Sequence, residues 1–197
     1  MKEVIIVGAG GHAKVIADII RLNGDKVIGY LDDSNSLTLS GYNIIGTTND
    51  IGKKDCWYFV AIGNNILREK LMSKETKWYT AIHPTAIIGE DVVIEDGTCI
   101  MANVVINSGS KIGKGVIINT ASTVDHDCNI SDYVHIAPGV HISGTVTVSK
   151  NTWVGVGSII SNNIKICSGC MIGAGAVVVK DIREKGTYVG VPAKKIK

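Results

Sequence analysis

The chain has 197 residues, enough for one or two domains. Twenty basic residues against eighteen acidic ones leave a net charge of +2, too little for a nucleic-acid or membrane surface. No apolar stretch reaches the ~18 residues of a spanning helix, so no membrane insertion is expected. The opening MKEVIIVGAG reads as a strand and loop rather than a signal peptide. Cysteines at 56, 99, 128, 167 and 170 form an odd set, which points to reduced thiols and a cytoplasmic setting.

The first eighty residues alternate strand and helix. EVIIV (3–7) is a short, continuous apolar run suited to a buried parallel strand. After Gly8-Ala9-Gly10-Gly11-His12 comes a helical pattern whose apolar residues 15, 16, 19, 20 and 22 lie along one face, and Asn23-Gly24 supplies its stop. A strand over 26–31 ends in Asp32-Asp33, followed by a turn-rich stretch with Ser34, Asn35, Ser36 and Gly41. A second strand–helix unit is predicted from 57–62, a Gly63-Asn64-Asn65 loop and about ten helical residues from near Ile66. Gly8-x-Gly10-x-x-Ala13, with Asp32 near ribose distance, resembles a dinucleotide fingerprint. Only about eighty residues precede the next region, which leaves no second half for a nicotinamide, so NAD is not expected. A nucleotide with one base and a pyrophosphate fits better, its phosphates at the helix N-terminus. The alternative is that the glycines serve only a tight turn.

From Ile82 to Ile172 an isoleucine or valine stands at every sixth residue without a slip. Each hexad carries a small or compact residue at its fifth place, such as Ala86, Thr98, Ser110 and Ser122. So short a period predicts a solenoid with three hexads per coil, a smooth triangular prism ending near Val178. The boundary with the α/β region falls near 78–83. The tail 186–197 breaks the period and is expected to fold back over the last coil or across a neighbour. Cys167 and Cys170 form a C-x-x-C that suggests zinc or redox work. Both fall in the hexad of Ile166, however, with Cys170 at the small fifth place, which favours a structural role.

Eighteen residues per coil place i and i+18 in adjacent rungs, ~4.8 Å apart. His126 then lies between Ser108 and Gly144, and Asp127 beside Thr145. The bare Gly144 rung is expected to let a ligand approach, with its N–H exposed as a donor. A carboxylate beside a histidine stabilises the imidazolium and makes a better base near neutral pH. Cys128 fills a fifth place and should point inward rather than act as a nucleophile.

At these residues the chain resembles the hexapeptide-repeat acyltransferases. More narrowly it is similar to the NDP-4-amino-sugar N-acetyltransferases of the bacillosamine and perosamine type, with sialic acid O-acetyltransferases as near relatives. The likeness runs through VGAGGHAKV, LDD, AIGNN with Arg68, INTASTVDHDC, YVHIAPGV, SGTVTV and YVGVPAK, and so covers essentially the whole chain. It implies a small Rossmann-like α/β domain (1–80) that binds a nucleotide sugar. A left-handed parallel β-helix acetyltransferase domain with a C-terminal tail (81–197) would follow, assembled as a homotrimer with active sites between prisms. It further implies His126 as general base tuned by Asp127, and acetyl-CoA held by His135, Gly144, Val156 and Ala174. A UDP-sugar would meet Gly10, Gly11, His12, Asp32, Asp33, Gly63, Asn64 and Arg68. Asp127 stands where one relative has Glu, and Ala174 where a relative has Gly.

Other chemistries fit the same residues. Sugar O-acetylation would use the same pair. A zinc enzyme would need converging histidines, yet no pair among His126, His135 and His141 is eighteen apart, so no metal is expected. A non-catalytic sugar-nucleotide scaffold would bind no acetyl-CoA and be indifferent to His126.

Overall fold

The computed structural model describes residues 1–34 and 43–197; Asn35, Ser36 and Gly41 lie outside the described residues. The α/β unit runs β1 (Glu3–Val7), α1 (Gly11–Leu22), β2 (Lys26–Leu31), β3 (Ile44–Gly46), β4 (Trp57–Val60), α2 (Asn65–Met72) and β5 (Lys77–Trp78). Its parallel sheet has the order β3-β2-β1-β4-β5. The chain leaves β1 toward β2 and later returns on the other side as β4, so a crevice opens at the carboxyl ends beside β1. β3 and β5 have three and two residues and carry no period that the sequence could reveal.

The buried stripe of α1 is Ala13, Ile16, Ala17, Ile19 and Ile20, while Val15 and Leu22 are exposed, contrary to the expected face. Alanines at 13 and 17 let the helix approach Val4 and Ile6 on one side and the solenoid residues Ala81, Cys99 and Ile117 on the other. Asn23 caps the helix and Gly24 follows with φ +77°. α2 starts one residue earlier than expected and has eight residues, because the Asn64 side chain caps it by accepting the Leu67 N–H at 2.9 Å.

From Ala81 to Val178 every hexad contributes a two-residue strand paired in parallel with the strand eighteen residues away, as in Val105↔Thr123 and Ile106↔Val124. The comb residues point inward and stack, one column per face, into a single core of branched side chains. The fifth-place hydroxyls have a specific task. Ser110 Oγ donates to Asp125 O at 2.8 Å and accepts the Cys128 N–H at 3.1 Å. Thr98, Ser122, Thr152 and Ser158 likewise donate to a corner carbonyl fifteen residues on. Each buried hydroxyl thereby satisfies backbone that the corner would strand. Cys128 fits the same niche, its Sγ donating to Ser143 O at 3.3 Å.

One face of the prism, carrying Cys99, Ile117 and His135 outward, is buried under the α/β unit. The tail departs from expectation. Ile182 bridges in parallel to Ile166, and Thr187–Val189 pairs in parallel with Met171–Ile172, so winding continues with sixteen residues per coil. Only Lys194–Lys195 turns back, antiparallel to Tyr188 and Val189.

Candidate active site

His126 occupies a corner of the prism, followed by Asp127 in the left-handed region (φ +58°). That backbone turn brings the two side chains together: His126 Nδ1 lies 2.8 Å from Asp127 Oδ2. With Nδ1–H donating to the carboxylate, Nε2 carries the free lone pair. Its hydrogen bond to Asp127, and next the charge of Asp125, raise the imidazole pKa above its ordinary 6.5. Gly144 lies directly against the ring. A Cβ there would fall 2.6 Å from His126 Nε2 and 2.7 Å from Cε1. Gly144 is buried, so the bare rung seats the imidazole rather than lying open to a ligand as expected. Cys128 is 1% exposed and burial raises its thiol pKa, which argues against this thiol as a nucleophile.

His135 and His12 meet at the junction between the two units. His135 is 6% exposed, its ring centroid 4.0 Å from that of Trp153, with Nδ1 3.5 Å from Gly63 O and Nε2 3.5 Å from Asn119 Nδ2. Burial, then the Arg68 charge, lower its pKa to about 3. The same two causes in the same order lower His12 to about 4, and His12 Nε2 is buried without a hydrogen-bond partner. Both rings are neutral at ordinary pH.

Arg68 is a correction to the expected substrate contacts. It is fully buried, and every N–H of its guanidinium is engaged within the chain. Nε donates to Gly115 O at 2.7 Å, Nη1 to Ile62 O and Gly63 O at 3.0 Å, and Nη2 to Asn65 Oδ1 at 3.0 Å and Tyr133 O at 2.9 Å. No donor remains for a phosphate; the fork ties the loop after β4 and the start of α2 to two rungs of the solenoid. Asn65, absent from the expected site, completes the tie by donating to Asn151 O and Thr152 O, both at 3.1 Å. Asn65, Arg68, Leu71 and Met72 form the buried stripe of α2, a helical spacing that marks Arg68 as inward-facing. Asn64 is engaged as the α2 cap.

Gly10 and Gly11 open α1. Gly10 has φ −83°, and neither glycine would crowd anything within 4 Å if given a Cβ. Neither turn geometry nor packing demands glycine there, unlike Gly8, whose φ is +95°. Asp32 and Asp33 lie in the crevice beside β1, a cavity of about 360 Å³ also lined by Gly8, Thr48, Lys70 and Lys74. Asp32 accepts the Ala9 N–H at 2.7 Å, and Asp33 accepts the Thr48 N–H at 2.8 Å, so both brace the crevice walls.

Val156 and Ala174 stack, exposed, on a different edge from His126 and Gly144. Beside them Gly139, Gly157 and Gly175 form a bare column where an added Cβ would meet nothing within 4 Å. The face between the two edges carries Ile87 and Ile159, 65% and 45% exposed.

The prism thus carries a histidine–carboxylate pair on one edge and an α/β unit on one face. Residues 3–74 match the family described as the PglD N-terminal domain. A UDP-N-acetylbacillosamine N-acetyltransferase of Bacillus subtilis is 35% identical over 113 residues, 52% of this chain and 52% of that protein. The chain's match thus spans about half the length of this curated relative. The acetyltransferase domain of PglB from Neisseria gonorrhoeae, also solved in complex with acetyl coenzyme A, is 36% identical with TM-score 0.93 over 100% of both chains. A mutant perosamine N-acetyltransferase from Caulobacter crescentus in complex with CoA and GDP-perosamine is 34% identical with TM-score 0.94, over 100% of this chain and 98% of that one. The chain belongs to the hexapeptide-repeat sugar N-acetyltransferase family, and its prism is the left-handed β-helix of that family.

Proposed function

We propose that the protein transfers an acetyl group from acetyl-CoA to the 4-amino group of a UDP-linked or other NDP-linked amino-deoxy sugar. Residues 1–80 would select the nucleotide sugar and residues 81–197 carry out the transfer. The observation that carries this reading is the 2.8 Å His126–Asp127 contact with Nε2 turned over Gly144. Nε2 takes a proton from the amine as its nitrogen attacks the thioester carbon, and Asp127 stabilises the imidazolium that forms. The tetrahedral intermediate expels the CoA thiolate, which recovers the proton from His126. An amine is nucleophilic enough to need no covalent enzyme intermediate.

The unforced glycines at 10 and 11 support phosphate approach to the α1 N-terminus. The unpartnered His12 Nε2 supports a polar contact to the sugar nucleotide. The bare edge of Val156 and Ala174 supports seating of the coenzyme arm. That edge and the His126 edge flank the same face of the prism, which favours a homotrimer whose contacts bring one edge from each of two protomers to a shared cleft.

The test is thiol release from acetyl-CoA with a UDP-4-amino-4,6-dideoxy sugar as acceptor. His126→Ala should lower kcat/KM by about 10²–10⁴-fold. Unchanged turnover would remove the base assignment, and acetylation only of sugar hydroxyls would replace the amine by an alcohol acceptor.

A further inference from the structure

Asp125 takes no part in the proton transfer above, yet its Oδ1 is doubly engaged. It accepts the His126 backbone N–H at 2.8 Å and the Asn107 side-chain N–H at 2.7 Å. Asn107 is eighteen residues earlier and lies in the adjacent rung, so the carboxylate is fixed between two coils. A capping task alone does not call for a charge. At the equivalent place one hexad earlier, Asn119 Oδ1 accepts the Thr120 N–H at 2.8 Å with a neutral amide. The backbone would therefore be served by Asn at 125, and the carboxylate's charge is left over.

We propose that Asp125, anchored by Asn107, is a positioning residue that fixes the rung carrying the His126 imidazole and holds a second negative charge beside it. This rests on the reading of His126 as the base. On its own rung His126 is flanked by Asp125 and Asp127. The rung on one side contributes Asn107, Ser108 and Gly109, and the rung on the other side Ser143, Gly144 and Thr145, none of them charged. The two carboxylates therefore act on the ring without a competing cation from these rungs. Asp127 orients the ring through Nδ1, whereas Asp125 acts through the main chain and through space. Together they keep the imidazolium stabilised while Nε2 is turned toward substrate.

The experiment is an NMR titration of the full chain with labelled histidine, the His126 resonance being assigned by its loss in His126→Gln. Asp125→Asn preserves the oxygen that accepts both hydrogen bonds and removes only the charge. It should lower the His126 pKa by about half a unit to one unit, the scale of one nearby charge in a solvated setting. The acid limb of kcat/KM should move to lower pH by the same amount, with the thermal midpoint unchanged. Asn107→Ala should reduce kcat about 3–10-fold with KM retained, the range below full loss of a general base. An Asp125→Asn protein whose His126 titrates as in the parent would overturn the proposal. Full activity of His126→Gln would instead overturn the base reading, while the titration would still judge Asp125.

Discussion

Replacing Arg68 by Met keeps the apolar stem and deletes the fork, so it isolates what the guanidinium does at the junction. Five acceptors at 2.7–3.0 Å would lose their donor in a site that is fully buried. An unsatisfied buried carbonyl costs about 1–3 kcal/mol, so the unrelaxed loss is on the order of 5–15 kcal/mol. Two effects offset it. Burial lowers the Arg68 pKa from 12.5 to about 10. Removing that charge returns roughly 3 kcal/mol at ~1.4 kcal/mol per unit. Water entering the vacated space re-satisfies part of the rest, which brings the net expectation to about 3–5 kcal/mol, as for other broken buried charge contacts. Against a typical total of roughly 5–15 kcal/mol this is large. Urea unfolding followed by tryptophan fluorescence reads both units, since Trp57 and Trp78 lie in the α/β sheet and Trp153 on the prism. Arg68→Met should unfold the α/β unit at a lower midpoint than the prism, splitting one transition into two. Arg68→Lys, with one charge but three donors and no fork, should fall between. A Met variant within 1 kcal/mol of the parent and unfolding in a single step would refute the assignment of Arg68 as the tie between units.

Gly144→Ala tests the seat of the imidazole: its backbone is not in the left-handed region, so a small loss of stability should accompany a tenfold or greater drop in kcat as the new Cβ displaces Nε2. Wild-type kcat in that variant would mean the ring does not rest on Gly144 during turnover. Acid should destabilise the fold well before the carboxylates titrate. His12 and His135 protonate at 6.5 in the unfolded chain but only at about 4 and about 3 when folded. The unfolded state therefore binds more protons below pH 6.5, and stability falls as pH drops from 6.5 toward 4. The loss by pH 5 should be about 1–2 kcal/mol per histidine, read from urea midpoints, and a flat profile over this range would contradict the burial of both rings.

The prism was legible because its period is carried by every coil, so no single residue had to be interpreted alone. The same register arithmetic put His126 against Gly144, since i and i+18 are neighbours whatever the side chains. What the arithmetic cannot supply is which member of a pair fills the space. Gly144 is covered by the ring it was expected to leave uncovered. Arg68 shows a different limit: the resemblance implies a nucleotide-sugar contact, and only the stripe it shares with Asn65, Leu71 and Met72 reveals that it faces inward. The α1 face keeps Ile16, Ile19 and Ile20 as expected but is centred on the small Ala13 and Ala17 in place of Val15 and Leu22. Close approach of helix to sheet is favoured by little side chain, and hydrophobicity alone does not register that.

The fifth-place hydroxyls join carbonyls and amides in coils that are spaced at fixed multiples of eighteen residues. Between Ala81 and Val178, a length change that is neither such a multiple nor absorbed at a corner, as in the sixteen-residue coil that follows, would move later columns off their partners. A whole-coil duplication beyond the His126 and Ala174 edges would instead leave each column aligned. Natural variation in the length of this fold is therefore expected in whole coils, or as loops extruded at corners, with the reacting edge untouched.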